Sequence, residues 1–131
     1  MNTNNLTKVH VTNTLTLDDY QAISEDTAIY PGKGTLLGLV YVGLGLGESG
    51  EAQGKIKKIL RDDGVSIGAD KIAYNPEKVA ALKGELGDQL WYIANTATEL
   101  GLSLGDIARD NIDKLASRKE RGVLTGSGDN R

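Results

Sequence analysis

Leu39-Val40-Tyr41-Val42-Gly43-Leu44-Gly45-Leu46-Gly47-Glu48-Ser49-Gly50-Glu51 reads in two incompatible ways. As a β-branched run followed by Gly45-x-Gly47-x-x-Gly50, it matches the strand and glycine turn that seat a dinucleotide pyrophosphate at a helix N-terminus. Set among its neighbours, Leu37, Val40, Tyr41 and Leu44 step by three and four, the rhythm of one helical face. That rhythm runs on through Glu48, Glu51 and Lys55 to Ile59. The downstream chain offers no second parallel strand, and the strand reading puts Glu48 inside a loop meant for phosphate. The segment is therefore helical, with a stripe that begins apolar and turns acidic.

Working outward, the same periodicity places three more helices. Thr16-Leu17-Asp18-Asp19 is a capping-box start for a helix carrying Leu17, Tyr20, Ile23 and Thr27, stopped by Tyr30-Pro31-Gly32. Thr35 is the candidate cap of the quoted helix, which Arg61-Asp62-Asp63-Gly64 ends, and residues 64–76 read as a loop. A third helix is expected over Glu77–Leu100, with Val79, Leu82, Leu86, Leu90, Ile93, Ala97 and Leu100 as its apolar stripe. Glu85, Asp88 and Tyr92 form a second line beside it. Gly101 stops that helix, and Ser103 with Asp106 opens the fourth, on which Leu104, Ala108, Ile112 and Leu115 should face inward. The expected fold is all-α, a four-helix-type bundle over residues 16–121 between an arm (1–15) and a flexible tail (122–131). One tryptophan and no phenylalanine make a modest core, so the helices are expected to pack in a homo-oligomer.

Composition narrows the function. Glycine supplies 17 of 131 residues, well above the usual ~7%, yet there is no Gly-X-Y period and only two prolines. No cysteine means no disulfide, thiolate metal site or cysteine nucleophile. No signal peptide opens the chain, and the run Leu36–Leu46 is too short to span a bilayer, so a cytoplasmic protein without a membrane partner is expected. A net charge of −3 disfavours stable nucleic-acid binding. Gly32-Lys33-Gly34-Thr35 resembles the end of a P-loop, but Thr27 stands where the first glycine belongs. His10, the only histidine, has no ligand or serine partner near it in sequence.

The acids are more informative. Glu48-x-x-Glu51 and Glu85-x-x-Asp88 each project two carboxylates from one side of a helix, and an antiparallel hairpin would bring the pairs together. Four crowded carboxylates repel unless cations neutralise them, and all-oxygen ligation suits Mg²⁺ or Mn²⁺. Gly47, Gly50, Gly84 and Gly87 flank the pairs, at about 1 kcal/mol each relative to alanine in a helix interior. They point to close packing or to room for a ligand.

Gly45–Glu51, Glu85-Leu86-Gly87-Asp88-Gln89-Leu90-Trp91-Tyr92 and Asn111-Ile112-Asp113-Lys114-Leu115-x-x-Arg118 together resemble the MazG-type nucleoside triphosphate pyrophosphohydrolases of the all-α NTP pyrophosphatase superfamily. The resemblance covers roughly residues 17 to 122. It implies a bundle that forms a homodimer or homotetramer and hydrolyses an NTP or dNTP to the monophosphate and pyrophosphate. It also implies that Glu48, Glu51, Glu85 and Asp88 hold Mg²⁺; the chemistry then calls for a carboxylate of the cluster, Glu48 or Glu51, to orient or deprotonate the water. Tyr92, Asn111, Lys114 and Arg118 match positions that hold the nucleotide, and Lys55 and Lys58 are within reach of phosphate or form a solvated face. Two rival readings are a DNA-binding regulator, from a faint helix-turn-helix around Leu102–Ala108, and a non-catalytic oligomeric bundle. Salt-sensitive duplex binding would mark the first, and indifference to Mg²⁺ the second.

Overall fold

Thr16 sets the start of the first helix as its chemistry dictates. Its hydroxyl accepts from the Asp19 N–H at 3.0 Å, and the Asp19 carboxylate accepts from the Thr16 N–H at 3.0 Å. The helix that follows is α1 (Leu17–Ser24), in a computed structural model that describes residues 14–62 and 76–126. Most of the expected arm, nearly all of the 64–76 loop, the end of the tail and His10 lie outside the described residues. A 3₁₀ turn (Glu25–Thr27) ends the first helical stretch three residues before Tyr30. After it come α2 (Leu36–Gly45), a second 3₁₀ turn (Leu46–Glu48), α3 (Ser49–Asp62), α4 (Pro76–Glu99) and α5 (Leu104–Glu120). Every regular element among the described residues is helical, as expected.

Two expected helix starts differ in detail. Thr35 occupies the N-cap of α2, but its hydroxyl donates to the Gly32 carbonyl at 2.6 Å and so ties the preceding turn. Ser103 caps α5 by accepting from the Asp106 N–H at 3.1 Å, while the Asp106 carboxylate turns to Arg109. Gly101 does end α4: its φ is +68°, and the Leu102 N–H reaches back to the Ala97 carbonyl at 2.8 Å. Only a residue without Cβ adopts that left-handed geometry at little strain.

Helix α4 is the central element, with α1, α2 and α3 packed on it and α5 docked through α1. The faces that meet differ from the leucine stripes. On α2 the buried positions are Gly38, Val42 and Gly45, and on α4 they are Ala94, Asn95 and Ala97. Small residues let helix backbones approach closely, so alanine, glycine, serine and valine fill much of the interior around Tyr30 and Trp91, with Ile59 and Leu104 as its larger aliphatic side chains. Ile59 and Ala97 of the expected stripes are buried, but many of the larger apolar side chains point outward. Leu36 is 75% and Leu44 76% exposed, and Leu37, Val40, Tyr41, Leu86 and Leu100 are also exposed. Of the four α5 residues expected to face inward, Leu104 is buried and Ala108 half-buried, whereas Ile112 is 63% exposed and Leu115 is also exposed.

Side chains of α1 fasten the start of α5. Asp18 Oδ1 accepts from Ser103 Oγ at 2.7 Å and from the Gly105 N–H at 2.9 Å, while Gln21 Oε1 accepts from the Leu104 N–H at 2.7 Å. The Ser103 hydroxyl and the Gly105 N–H hold the Asp18 carboxyl below its ordinary value, and Thr16 does the same for Asp19. A lowered folded-state pKa gives stability that is present above about pH 4 and is lost as pH falls through the folded values. Thermal melts between neutral pH and about pH 3 are therefore expected to show a falling acid limb, and Asp18→Asn should flatten it. An identical acid limb in the variant would remove Asp18 from the account.

Candidate active site

The two 3₁₀ turns and the middle of α4 converge on one cavity of about 320 Å³. Its walls are Thr27, Glu48, Asp88, Trp91 and Tyr92. Asp88 and Tyr92 are one turn apart on α4, so the helical pitch stacks them on one side. Glu48 arrives from the opposite wall because the α-helical rhythm breaks at Leu46–Glu48, where a sequence reading had one continuous helix. The tighter 3₁₀ turn is steadied by Gln89, whose Nε2 donates to the Leu46 carbonyl at 3.3 Å.

Tyr92 joins the two walls. Its hydroxyl donates to Glu48 Oε1 at 3.1 Å, and burial, then the nearby Glu48 carboxylate, push the phenol pKa above its ordinary value. The phenol therefore keeps its proton at neutral pH and serves Glu48 as a donor. The ring lies against Gly45, where an added Cβ would fall 2.1 Å from a ring carbon. Trp91 fixes the far side by donating from Nε1 to Thr27 Oγ1 at 2.7 Å.

The remaining expected site residues are placed unevenly. Glu85 lies one turn before Asp88 on α4 and is paired with Lys55 at 3.2 Å, so its charge is already answered across the α3–α4 seam. Glu51 is exposed in the first turn of α3. Among the described residues no group of three or more carboxylates is gathered tightly enough to chelate an ion by itself. Asn111 and Lys114 line a separate cavity with Ile107 and Asp110, and Arg118 is buried near the end of α5. Within one chain, Asn111 and Lys114 thus line a different cavity from Glu48 and Asp88. Of the two expectations for the flanking glycines, close packing does not hold, because Gly47, Gly50, Gly84 and Gly87 all face open space; nearby Gly45, by contrast, is in close contact.

Two wall residues escaped the sequence reading. Thr27 looked like a rung of the first helix, and Trp91 like a core indole. Their bond spans 64 positions, and no local spacing announces it.

The donor set suits a hard divalent cation. Glu48 and Asp88 offer carboxylate oxygens to a shared space large enough for water and phosphate, and Mg²⁺ commonly takes one or two carboxylates and completes its shell with these. No described helix is long and apolar enough to cross a membrane.

The chain is 48% identical over 120 residues to the "Gene 37 protein" of Mycobacterium phage L5, covering 88% of this chain and 98% of that protein. No solved structure matches significantly. The family model of the MazG nucleotide pyrophosphohydrolase domain matches residues 42–123, a span that holds the acids of α3 and α4, Tyr92 and the polar face of α5. The chain belongs to the MazG nucleotide pyrophosphohydrolase domain family.

Proposed function

We propose that the chain hydrolyses nucleoside triphosphates, NTP or dNTP, to the monophosphate and pyrophosphate with Mg²⁺, or in its place Mn²⁺. The observation that carries this reading is the shared cavity of Glu48, Asp88 and Tyr92 inside the span the family model matches. In it, Glu48 and Asp88 are the inner metal ligands, and Glu51 and Glu85 complete the set once phosphate oxygens compete for Lys55. A bound divalent ion neutralises phosphate oxygens and lowers the pKa of water. Tyr92 holds one oxygen of Glu48, leaving the other to orient the attacking water, with Glu51 as the second carboxylate able to take its proton. The departing pyrophosphate needs charge stabilisation more than a strong acid.

Asn111, Lys114 and Arg118 enter this scheme from a second copy of the chain. The support is the exposed α4 line of Leu86, Ile93 and Leu100 and, separately, the exposed Ile112 and Leu115 of α5, apolar surface that a homodimer or homotetramer would cover. The working unit is residues 16–121, with the arm and tail outside it.

The decisive assay incubates the full chain with NTPs and dNTPs plus Mg²⁺ and identifies the products. Monophosphate and pyrophosphate are expected. Diphosphate with orthophosphate, or no turnover across the panel, would overturn the proposal.

A further inference from the structure

Gly32-Lys33-Gly34-Thr35, the stretch that resembles the end of a P-loop, gives its backbone donor to a carboxylate of the protein itself. Gly32 and Gly34 take left-handed angles (φ +71° and +79°), open to glycine at little strain. The Gly34 N–H donates to both oxygens of Glu99, at 3.1 Å to Oε1 and 3.0 Å to Oε2. Glu99 Oε1 also accepts from the Tyr30 hydroxyl at 2.5 Å. Gly38 on α2 leaves the room, since an added Cβ there would fall 3.0 Å from Glu99 Oε1 and 2.5 Å from the Gly32 carbonyl oxygen. One side chain thus joins the last residue of α4, the α1–α2 turn and the buried ring of Tyr30.

Glu99 lies eleven residues beyond Asp88, roughly 16 Å along the helix axis, too far to touch the reacting groups. A continuous path of rings nevertheless leads from it to them. Tyr30 lies nearly parallel to Tyr41, 5.5 Å between centroids and 11° between planes, and meets Trp91 edge-on at 6.1 Å. Trp91 meets Tyr92 edge-on at 5.2 Å, and the Tyr92 hydroxyl holds Glu48. These rings line an aromatic cavity of about 390 Å³ that shares Thr27, Trp91 and Tyr92 with the acidic one. Burial, then the bond to Glu99, push the Tyr30 phenol above its ordinary value, so it remains a donor at neutral pH. Without Glu99 that buried hydroxyl has no acceptor, and the ring must tilt to reach water. Edge-on ring pairs hold a preferred geometry, and closely packed side chains pass a displacement on to their neighbours.

We propose that Glu99 is a positioning residue of the catalytic cavity: by holding the Tyr30 hydroxyl and the α1–α2 turn, it fixes the ring contacts that orient Tyr92 and, through Tyr92, Glu48. The consequence for turnover rests on the pyrophosphohydrolase reading, whereas the placement of the Tyr92 ring does not.

The test reads the ring and the turnover separately. NMR spectra of the full chain with isotope-labelled tyrosine report its five tyrosine rings individually. Glu99→Ala should move the resonances of Tyr30 and also those of Tyr92, with far-ultraviolet circular dichroism unchanged. Its kcat for NTP hydrolysis should fall on the order of tenfold, short of the ~100-fold that a 1 Å misplacement can cost, with KM nearly unchanged. Glu99→Gln keeps an oxygen for the Tyr30 hydroxyl and should retain most of the native spectrum and rate. Tyr30→Phe keeps the ring and loses the hydroxyl; it should shift Tyr92 and lower kcat in the same direction, and it replaces Glu99→Ala if that variant does not fold. In a Tyr92→Phe background the bond to Glu48 is already gone, so Glu99→Ala should lower kcat little further, whereas a general loss of stability would act alike in both backgrounds. Tyr92 resonances that stay in place in Glu99→Ala and Tyr30→Phe, or equal fold-losses of kcat in the two backgrounds, would overturn the proposal. A chain whose Tyr92 ring shifts in these variants but which releases no pyrophosphate from NTPs keeps Glu99 as the residue that sets the ring and rejects the pyrophosphohydrolase reading.

Discussion

Asp88→Asn is expected to lower kcat/KM for NTP hydrolysis by on the order of 100-fold or more while leaving helical content and melting temperature nearly unchanged. The magnitude is that of removing one preorganised electrostatic partner from a reacting centre. The substitution keeps the size and shape of the side chain and removes only its negative charge and one hard oxygen ligand. Asp88 is exposed at the mouth of the cavity and is not a core residue, so little stability should follow. Glu48→Gln should behave alike, because the amide oxygen still accepts from the Tyr92 hydroxyl and the wall keeps its shape. Glu51→Gln tests the outermost acid. Product-resolved assays beside circular dichroism decide the matter. Unchanged rates in Asp88→Asn, with the fold intact, would detach the cavity from the chemistry.

What could be read in advance follows from what is local. Asp88 and Tyr92 were legible because helical pitch alone puts positions four apart on one side, and the Thr16 cap because its chemistry is confined to four residues. The break at Leu46–Glu48 was not legible, since 3₁₀ and α-helices both bring positions three apart close together, and the same residues satisfy either rhythm. The inward face of α2 was misread for a physical reason. Hydrophobic periodicity assumes that the largest apolar side chains are buried by the chain that carries them. Here Val42 and two glycines take the interior, and Leu36 and Leu44 are left outside. The aromatic cavity was hidden for another reason: Tyr30-Pro31 read as a helix stop, and only tertiary packing brings Tyr41 and Trp91 around it.

Glycine content carried the least positional information, and one glycine supports the second large effect. Gly45→Ala is expected to destabilise the protein by about 1–3 kcal/mol, the usual range for overpacking, and to lower activity with it. Backbone strain is not the cause, because Gly45 has ordinary helical angles (φ −61°, ψ −26°), where alanine alone would be favourable by up to about 1 kcal/mol. The cause is contact. A Cβ at this position would sit 2.1 Å from one carbon of the Tyr92 ring and 2.2 Å from the next, so the ring must move. Moving it breaks the hydroxyl's bond to Glu48 and disturbs the edge contact with Trp91. Gly47→Ala and Gly50→Ala, whose Cβ positions face open space, provide the contrast and should be neutral or mildly stabilising. Urea denaturation of Gly45→Ala, Tyr92→Ala and the double variant isolates the mechanism. Without the ring the clash has no partner, so the penalty of Gly45→Ala should largely vanish in the Tyr92→Ala background, a coupling that independent sites do not show. If Gly45→Ala proved as harmless as Gly47→Ala, the ring would not be pressed against α2, and Glu48 would owe its orientation to something other than Tyr92.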